Sequence, residues 1–422
     1  MRLVNIYNQS TRVDVIRILA LFMLLLMFAG CSDRNEHVIM VWHSMRPVEA
    51  SILRKQLDLF EQSYPGWEFR ELFYANETAR TNFIISALGG SGPDLFWGAN
   101  DNIGPFVELE IIKPLESILP ESYLSQFIEE PIQANTWYRD HLYQIADRVG
   151  NHLCLVYNKA IIQTPPTTIS ELRRIGKQLT KDIDGDNRPD QYALAWNYTE
   201  PFFAVPFIGG YGGWIIDETN NPTLNTDAIV KAARLIYNLA NVDRIIPVEC
   251  DYEVANALFK DGKSAMIING PWSWGTYLEN GIDIGITRIP RIDETGLWAT
   301  PIVSPLGYSI NANTSGIKLN ITLELLKFLT SPEVELEFTR EMATIPSRKE
   351  AFQDSLVTSN PFVQSAIYQL EVGKLMPVVT EMRWIWDAMR PSYQGIFTGS
   401  ITPEIAAQTM QSMAENLIKE NR

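Results

Sequence analysis

The chain has 422 residues, of which 46% are hydrophobic and 20% are charged. This is the composition of an ordinary globular protein, and the length allows two or three domains. The formal net charge of −15 argues against a nucleic-acid partner, because binding to phosphates requires clustered Lys and Arg side chains.

The first thirty residues predict an export signal. Arg2, Arg12 and Arg17 precede an unbroken apolar run at residues 18–28. The run is shorter than the roughly 20 residues of a membrane-spanning helix. A basic start, a short apolar stretch and small residues before a break are typical of secretory signals.

The residues Phe-Ala-Gly before Cys31, together with Cys31 itself, resemble the bacterial lipobox, in which the thiol is acylated and the signal is cut just before it. We therefore predict a signal peptide at 1–30, lipidation of Cys31 and a polar tether at 31–36. The predicted location is extracytoplasmic, anchored to a membrane by lipid. An ordinary cleaved signal and a buried helix of the fold are the alternatives.

Strands and helices are predicted to alternate along the rest of the chain. Strands are expected at residues 38–42, 67–73, 94–97, 153–157 and 265–268. Helices are expected at 52–64, 77–88, from 168, and at 226–239, 251–260, 320–329 and 402–418. Alternation of this kind implies βαβ units and parallel sheets. The stretch 290–305 has little regular pattern and is interpreted as a crossing between domains.

Neither a His-Glu-x-x-His nor a Gly-x-Ser-x-Gly motif occurs in the sequence, and the four His residues are scattered. One acidic turn carries carboxylates at alternate positions, which could converge on calcium: Asp182, Asp184, Asp186 and Asp190. Ala193 occupies the position at which an EF-hand needs a bidentate Glu. A tight turn held by Asp side chains explains the pattern without an ion, so we predict no metal and no cofactor.

Two cysteines remain beyond the signal, Cys154 and Cys250. An oxidising compartment permits a disulfide between them, but two isolated cysteines do not specify one. Cys154 lies in a predicted buried strand and is interpreted as an inert thiol.

Aromatic residues within polar segments are the most informative signal. Sugars lie with their C–H faces on aromatic rings, and their hydroxyls need fixed donors and acceptors. The candidate rings are Trp97, Trp196, Phe202, Phe203, Trp272, Trp274, Trp384 and Trp386. The candidate polar partners are Asp101, Asn102, Asn151, Glu200 and Arg390. This pairing predicts a carbohydrate-binding protein.

The run 262–274, which includes Asn-Gly-Pro-Trp-Ser-Trp at its end, closely resembles the maltose-binding-protein-like, family-1 extracellular solute-binding proteins of ABC importers. Further segments resemble the family in the same order along the chain: 92–97, 155–159, 196–203, 209–213, 250–252 and 376–386. Each segment alone is weak, but the ordered series is specific.

The resemblance implies the two-lobed (type II) periplasmic-binding-protein fold of the α/β class, in which each lobe is a mainly parallel sheet flanked by helices and three hinge crossings join the lobes. The first lobe is expected at 37–149 plus 292–343, and the second at 150–291 plus 344–422. Hinges are expected at 148–151, 288–293 and 342–347.

The resemblance also implies roles for residues in the cleft. Trp272 and Trp386 match the stacking tryptophans of the family, and Phe202 and Phe203 match its aromatic pair. Glu200 matches a hydroxyl-binding carboxylate, Tyr252 a cleft tyrosine, and Trp97 with Asp101 the pair from the first lobe. These matches are expectations for individual side chains.

The chain departs from the family pattern at several of these positions. Asn102 stands where the maltose binder has Arg, and Asn151 replaces a Glu. The segment after the first strand contains Arg46 in place of two polar ligands, and Arg46 joins the candidate site. A sugar is therefore expected, but maltose itself is not specified.

We predict a binding module rather than an enzyme. Two lobes would close about a mono- or oligosaccharide, and the loaded form, a monomer, would be recognised by the permease subunits of an importer driven by a cytoplasmic ATPase. One alternative is a secreted carbohydrate-active hydrolase using two carboxylates such as Asp101 and Glu200. The other is a sugar sensor that signals to a receptor.

Overall fold

The computed structural model describes residues 37–129 and 136–421. The predicted signal peptide, Cys31 and the tether lie outside the described residues. Within the described ranges, no helix combines the length and the apolar character that crossing a membrane requires.

The described residues form strands and helices that are numbered here in chain order. The strands are β1 Val38–His43, β2 Glu68–Phe73, β3 Leu95–Ala99, β4 Trp137–Tyr138, β5 His141–Leu142, β6 Ile145–Asn151, β7 Cys154–Asn158, β8 Tyr192–Ala195, β9 Ser264–Asn269, β10 Ile284–Thr287, β11 Ile302–Ile310, β12 Ile345–Pro346 and β13 Lys374–Leu375. The helices are α1 Pro47–Glu61, α2 Asn76–Leu88, α3 Ile103–Glu108, α4 Glu121–Leu124, α5 Ile169–Leu179, α6 Val205–Gly210, α7 Asp227–Tyr237, α8 Tyr252–Lys260, α9 Pro271–Glu279, α10 Gly316–Leu329, α11 Pro332–Met342, α12 Lys349–Phe352, α13 Ser355–Thr358, α14 Pro361–Leu370, α15 Glu381–Thr398 and α16 Pro403–Asn421.

A seven-stranded sheet organises the first lobe, in the order β12-β6-β11-β3-β1-β2, with β13 paired to β11. Strands β1, β2 and β3 are parallel to one another, whereas β11 is antiparallel to both β3 and β6. Helix α1 packs on this sheet through Leu53, Leu57 and Phe60, which recur on one face and are buried with Val41. Burial of each such side chain contributes about 1.5–3 kcal/mol.

A four-stranded sheet organises the second lobe, in the order β10-β7-β9-β8. Only β8 and β9 are parallel, and β7 is antiparallel to both β9 and β10. The two-lobed α/β fold agrees with the expectation from the sequence, but the prediction of mainly parallel sheets was wrong. Parallel neighbours need a crossover connection within one lobe. Five strands lie next to the passages between the lobes and have no such crossover: β6, β7, β10, β11 and β12. These strands form the antiparallel pairs.

The chain passes from the first sheet to the second directly after β6, returns between β10 and β11, and leaves again between β12 and α14, which packs against β10. It then returns to the first sheet at β13, which pairs with β11, before it enters α15. The segments 148–151, 288–293 and 342–347, expected to be hinges, fall at the first three of these passages. The first sheet continues to Asn151 and Pro346, slightly past the boundaries expected at 149 and 343, and β13 lies within the range expected for the second lobe. The movement of the hinges and the division into lobes stay predictions.

Candidate functional site

Trp272 lies at the start of α9 in the second lobe. It is the second residue of α9 and is only partly buried. The indole lies directly across Gly270, because a Cβ added at Gly270 would lie 2.1 Å from the ring. Glycine at 270 is therefore the residue that allows the ring to lie against the backbone in this position.

Phe202 and Trp386 form an aromatic pair, also in the second lobe. Their ring centroids are 6.5 Å apart in an edge-to-face arrangement, which aromatic pairs favour. Trp386 is 7% exposed, on α15, and Phe202 is partly exposed. Phe203, expected to act with Phe202, is only 4% exposed and packs in the second-lobe core, since neighbouring side chains of a short 3₁₀ turn point in different directions.

Tyr252, in the second lobe, and Arg46, in the first lobe, are in contact. Tyr252 opens α8, whose first turn is capped by Asp251 through a hydrogen bond from the backbone N–H of Val254. The guanidinium of Arg46, in the first lobe, lies 4.5 Å from the centroid of the Tyr252 ring. A cation at this distance over a ring is attracted to its face. Burial raises the pKa of Tyr252, so the phenol is neutral at physiological pH.

Polar side chains follow β3 in the first lobe. Asp101 and Asn102 lie in a 3₁₀ turn directly after β3, at the carboxyl ends of the parallel strands. Arg80, on α2, donates from Nε to Oδ1 of Asn102 over 2.6 Å and from a terminal nitrogen to Oδ2 of Asp101 over 2.9 Å. The Asn102 side-chain amide also donates to the carbonyl of Ala99. Asn102 thus orients Arg80, which supplies a guanidinium close to the position where the family pattern has one.

The sequence did not single out Arg80 as a site residue, because Arg80 lies within an ordinary helix. Its side chain is 9% exposed. Burial by itself would lower its pKa, but the carboxylates of Asp101 and Glu77 outweigh that effect and raise the pKa. The spacing of Glu77 and Arg80, three residues apart on one helix face, was the available signal.

Trp97 lies in the core and not in the cleft. It is 3% exposed, its Nε1 donates to Oδ2 of Asp147 over 3.1 Å, and the guanidinium of Arg148 lies 4.7 Å from its ring centroid. Strand β3 is central in its sheet, so its side chains point into the packed layers on both faces. The expectation that Trp97 contacts a ligand is therefore corrected, and we exclude it from the site.

Glu200 and Arg390 form a pair in the second lobe. Arg390 lies 3.1 Å from Oε2 of Glu200 and also 3.1 Å from Oδ1 of Asp387. Partial burial alone would lower the pKa of Arg390, but these carboxylates raise it. Asn151 is partly exposed at the end of β6, where the chain leaves the first sheet.

The acidic turn gathers ligand atoms of Asp182, Asp184 and Asp190 within 4.8 Å of one another, in a group that does not include Asp186. Asp182 accepts hydrogen bonds from the backbone N–H groups of Gly185 and Asn187, and Asp190 accepts from Ile183 and Asp184. These bonds account for the turn as an Asp-held loop. Calcium binding at this turn stays an alternative, because the hydrogen bonds explain the turn without an ion.

Cys154 and Cys250 are both buried and both free. Burial raises the pKa of the Cys250 thiol to about 12 and also raises that of Cys154. Both thiols are therefore protonated and unreactive at physiological pH. The interpretation of Cys154 as an inert thiol agrees with the structure.

The chain is similar to several known sugar-binding proteins. Residues 55–364 match the model of a family described as bacterial extracellular solute-binding protein. A solved structure of the maltose/maltodextrin-binding domain MalE from Bdellovibrio bacteriovorus, bound to maltotriose, is 41% identical, covers 90% of this chain and 100% of its own, and superposes with a TM-score of 0.87. The maltotriose-binding protein of Pyrococcus abyssi is 24% identical over 90% of this chain and 82% of its own length. The galactooligosaccharide-binding protein of Bacillus subtilis is 26% identical over 78% of each chain.

Proposed function

Because this chain belongs to the family of bacterial extracellular solute-binding proteins, we propose that it is the sugar-capturing component of an ABC-type importer. The family consists of binding proteins rather than enzymes, so the hydrolase alternative is set aside. Its location is extracytoplasmic, in keeping with the family description.

The proposed ligand is a short oligosaccharide of glucose, for which maltotriose is the first candidate. This proposal is supported by the unlike chemistry of the residues that are proposed to face each other across the cleft. Trp272, Phe202 and Trp386 offer ring surface on one side, and Asp101 with Arg80 offers charge on the other. Apolar rings with a few convergent polar groups are the usual construction of a site for a small ligand. Two of the relatives named above bind maltotriose.

The residues proposed for sugar contact are at least partly exposed, except Trp386, which is 7% exposed and is included because its ring contacts that of Phe202. They are Arg46, Asp101, Asn151, Glu200, Phe202, Tyr252, Trp272, Trp386 and Arg390. Asn102 acts through Arg80, and Phe203 supports Phe202 from the core. Stacking would contribute to affinity, and the carboxylates would select the orientation of the hydroxyls.

Delivery to the importer completes the proposal. The two lobes close about the sugar, and the loaded monomer docks on the permease subunits, which a cytoplasmic ATPase drives. Acylation of Cys31 holds the protein at the membrane, since several acyl chains together give stable attachment. Mass spectrometry of the protein from its native membrane tests the anchor: a diacylated peptide beginning at Cys31 supports it, and an unmodified Cys31 contradicts it.

A thermal-shift screen over a panel of sugars, followed by calorimetry of the hits, tests the proposed ligand class. A ligand that binds only the native state raises stability by about 4 kcal/mol at a thousandfold excess over Kd. A selective shift with maltotriose and related glucans would support the proposal. A shift with an amino acid, a peptide or a metal, and none with any sugar, would contradict it.

A further inference from the structure

A continuous series of ion pairs runs from one proposed sugar-binding carboxylate to the other. It is called the ion-pair chain here and is composed of alternating acids and arginines: Asp101, Arg80, Glu77, Arg383, Asp387, Arg390 and Glu200. The first three belong to the first lobe and the last four to the second. The pair of Glu77 and Arg383 is the link between the two groups.

The distances along the chain are those of direct ion pairs. In the first lobe, Arg80 lies 2.9 Å from Asp101 and 3.5 Å from Glu77. In the second lobe, Arg383 lies 3.2 Å from Asp387, which in turn lies 3.1 Å from Arg390. Between the lobes, Arg383 contacts Glu77 directly.

Helical spacing explains why these charges align. Glu77 and Arg80 are three residues apart on α2, so they share one face. Arg383, Asp387 and Arg390 follow one another at four and three residues on α15 and share a face in the same way. Trp386 adjoins that face, so the helix that carries a proposed stacking ring also carries the charges.

The segment just before α15 contacts the first lobe at a second place, in addition to the pair of Glu77 and Arg383. Gly104, on α3, faces the backbone just before α15, and a Cβ at Gly104 would lie 2.8 Å from the Thr380 nitrogen. This segment follows β13 and packs on the first lobe, so it carries Arg383 close to Glu77 where the chain enters α15.

Electrostatics support the continuity of the chain. Burial opposes ionisation of Glu77, but the guanidinium groups of Arg80, Arg383 and Arg390 outweigh it and lower the pKa of Glu77. Two of these three cations belong to the opposite lobe. Glu77 is consequently charged at any pH at which the protein would work.

We infer that Glu77 and Arg383 are positioning residues, whose ion pair forms on closure of the lobes and holds the carboxylates of Asp101 and Glu200 in register for the hydroxyls of one sugar. This inference rests on the proposed function. Arg80 engages Oδ2 of Asp101 and Arg390 engages Oε2 of Glu200. A carboxylate has capacity for several hydrogen bonds, so each can also accept from a sugar hydroxyl. The pair strengthens sugar binding without contacting the sugar.

The open form keeps its charges paired because each half of the chain is satisfied within its own lobe. When the lobes separate, Glu77 keeps Arg80 and Arg383 keeps Asp387 as partners. Closure thus adds one ion pair, and after opening each of these charges still has a partner in its own lobe. An isolated exposed pair contributes up to about 1 kcal/mol, which sets the expected effect at about fivefold in Kd.

The test is a double-mutant cycle with Glu77→Gln, Arg383→Gln and both together, using maltotriose as the probe in calorimetry at low and high salt. Each single variant is expected to raise Kd about fivefold at low salt, with a smaller effect at high salt. The double variant is expected to lose no more than either single one, because both remove the same pair. Arg383→Lys keeps the charge and should lose less.

The matched control is Arg234→Gln, which removes an exposed Arg–Glu pair with Glu404 inside the second lobe. Its Kd should equal that of the wild type. Additive losses in the double variant, or an unchanged Kd in both single variants, would overturn the inference while leaving the proposed function intact. Failure of the wild type to bind any sugar would instead count against the proposed function.

A second readout follows closure itself. X-ray scattering of the protein saturated with maltotriose should show a larger radius of gyration for Arg383→Glu than for wild type, because the introduced carboxylate would repel Glu77 and disfavour the closed form. The Arg234→Glu variant serves as the control, with no expected change. An unchanged radius for Arg383→Glu in the saturated protein contradicts the inference.

Discussion

The residues proposed to form the two walls of the cleft differ in chemistry. The second lobe contributes rings, with Phe202 and Trp386 in edge-to-face contact and Trp272 at the start of α9. The first lobe contributes charge, with Arg80 and Asp101 paired beside the ends of the parallel strands. A sugar has apolar faces and polar edges, so a wall of each kind addresses one of its two surfaces.

The contrast shows that an aromatic residue near a site is not by itself a ligand contact. Trp97 and Trp272 both lie in segments that resemble the family, yet the first is packed between layers of the sheet and the second is accessible at a helix start. Trp97 should therefore affect folding, and Trp272 should affect binding. The following predictions test that distinction.

The largest effect is expected for Trp97→Ala. Removing a fully packed indole costs about 3–5 kcal/mol of unfolding free energy, and the buried carboxylate of Asp147 also loses a hydrogen bond. Urea denaturation measures this change. Because such a variant could fail to fold, Trp97→Phe provides a milder case, in which stability falls and the Kd for maltotriose stays within a few-fold of wild type. A large rise in Kd without loss of stability would return Trp97 to the site.

Trp272→Ala should have the opposite pattern. Loss of one stacking ring is expected to raise the Kd for maltotriose roughly 100-fold, whereas the melting temperature of the sugar-free protein should change little. Calorimetry and thermal melting measure the two quantities on the same sample. Trp274→Phe is the control, since Trp274 is buried and should leave the Kd near that of wild type.

A smaller effect concerns the acid next to Trp97. Burial raises the pKa of Asp147 to about 6, although Arg148 and the Trp97 hydrogen bond oppose the shift. The folded pKa lies above the unfolded value near 3.9, so the native state binds the proton more tightly and this contribution to stability decreases as pH rises from about 4 to about 6. Asp147→Asn should remove this dependence, which amounts to at most about 3 kcal/mol across the window. Urea denaturation at several pH values measures it, and an unchanged pH profile would contradict the assignment.

The smallest effect is expected for Gly270→Ala. The added methyl group would overlap the Trp272 ring, so the indole must leave its position in the cleft wall. We expect Kd for maltotriose to rise about tenfold with little change in stability, measured as above. An equal Kd would show that the ring position does not matter for the ligand. The matched control is Gly275→Ala, because a Cβ at Gly275 would contact only a backbone oxygen, at 3.3 Å. Gly281 is unsuitable as a control because its φ is positive.

Much of the fold follows from local pattern. The strand and helix predicted at 38–42 and 52–64 correspond to β1 and α1, because apolar residues repeat with the period of each element. The helix expected from residue 168 begins where Thr168 caps it through the backbone N–H of Glu171. Local chemistry was sufficient in these cases.

Tertiary contacts determined the elements that were missed. The stretch 290–305 was interpreted as an irregular crossing, yet β11 begins at Ile302 and continues through Pro305 and Gly307. Gly307 serves a close approach of strands, since a Cβ there would lie 2.2 Å from the Ile145 carbonyl oxygen. Helix α15 likewise continues past Pro391, which by sequence alone predicts a stop.

The sequence points to the aromatic half of the proposed site more directly than to its polar half. Trp272 and Phe202 belong to recognisable motifs, whereas Arg80 and the ion-pair chain depend on which faces of α2 and α15 meet. Trp97 was misassigned because its motif is shared with the family while its direction is determined by the sheet. Spacing along the chain does not contain that information.

A crystal structure of the protein with maltotriose tests the central claim most directly. The account predicts glucose rings against Trp272 and the Phe202–Trp386 pair, with hydroxyls donating to Asp101 and Glu200 and the lobes joined through Glu77 and Arg383. Sugar bound outside this cleft, or inside it with its rings on the first lobe and its hydroxyls directed at the aromatic wall, would contradict it.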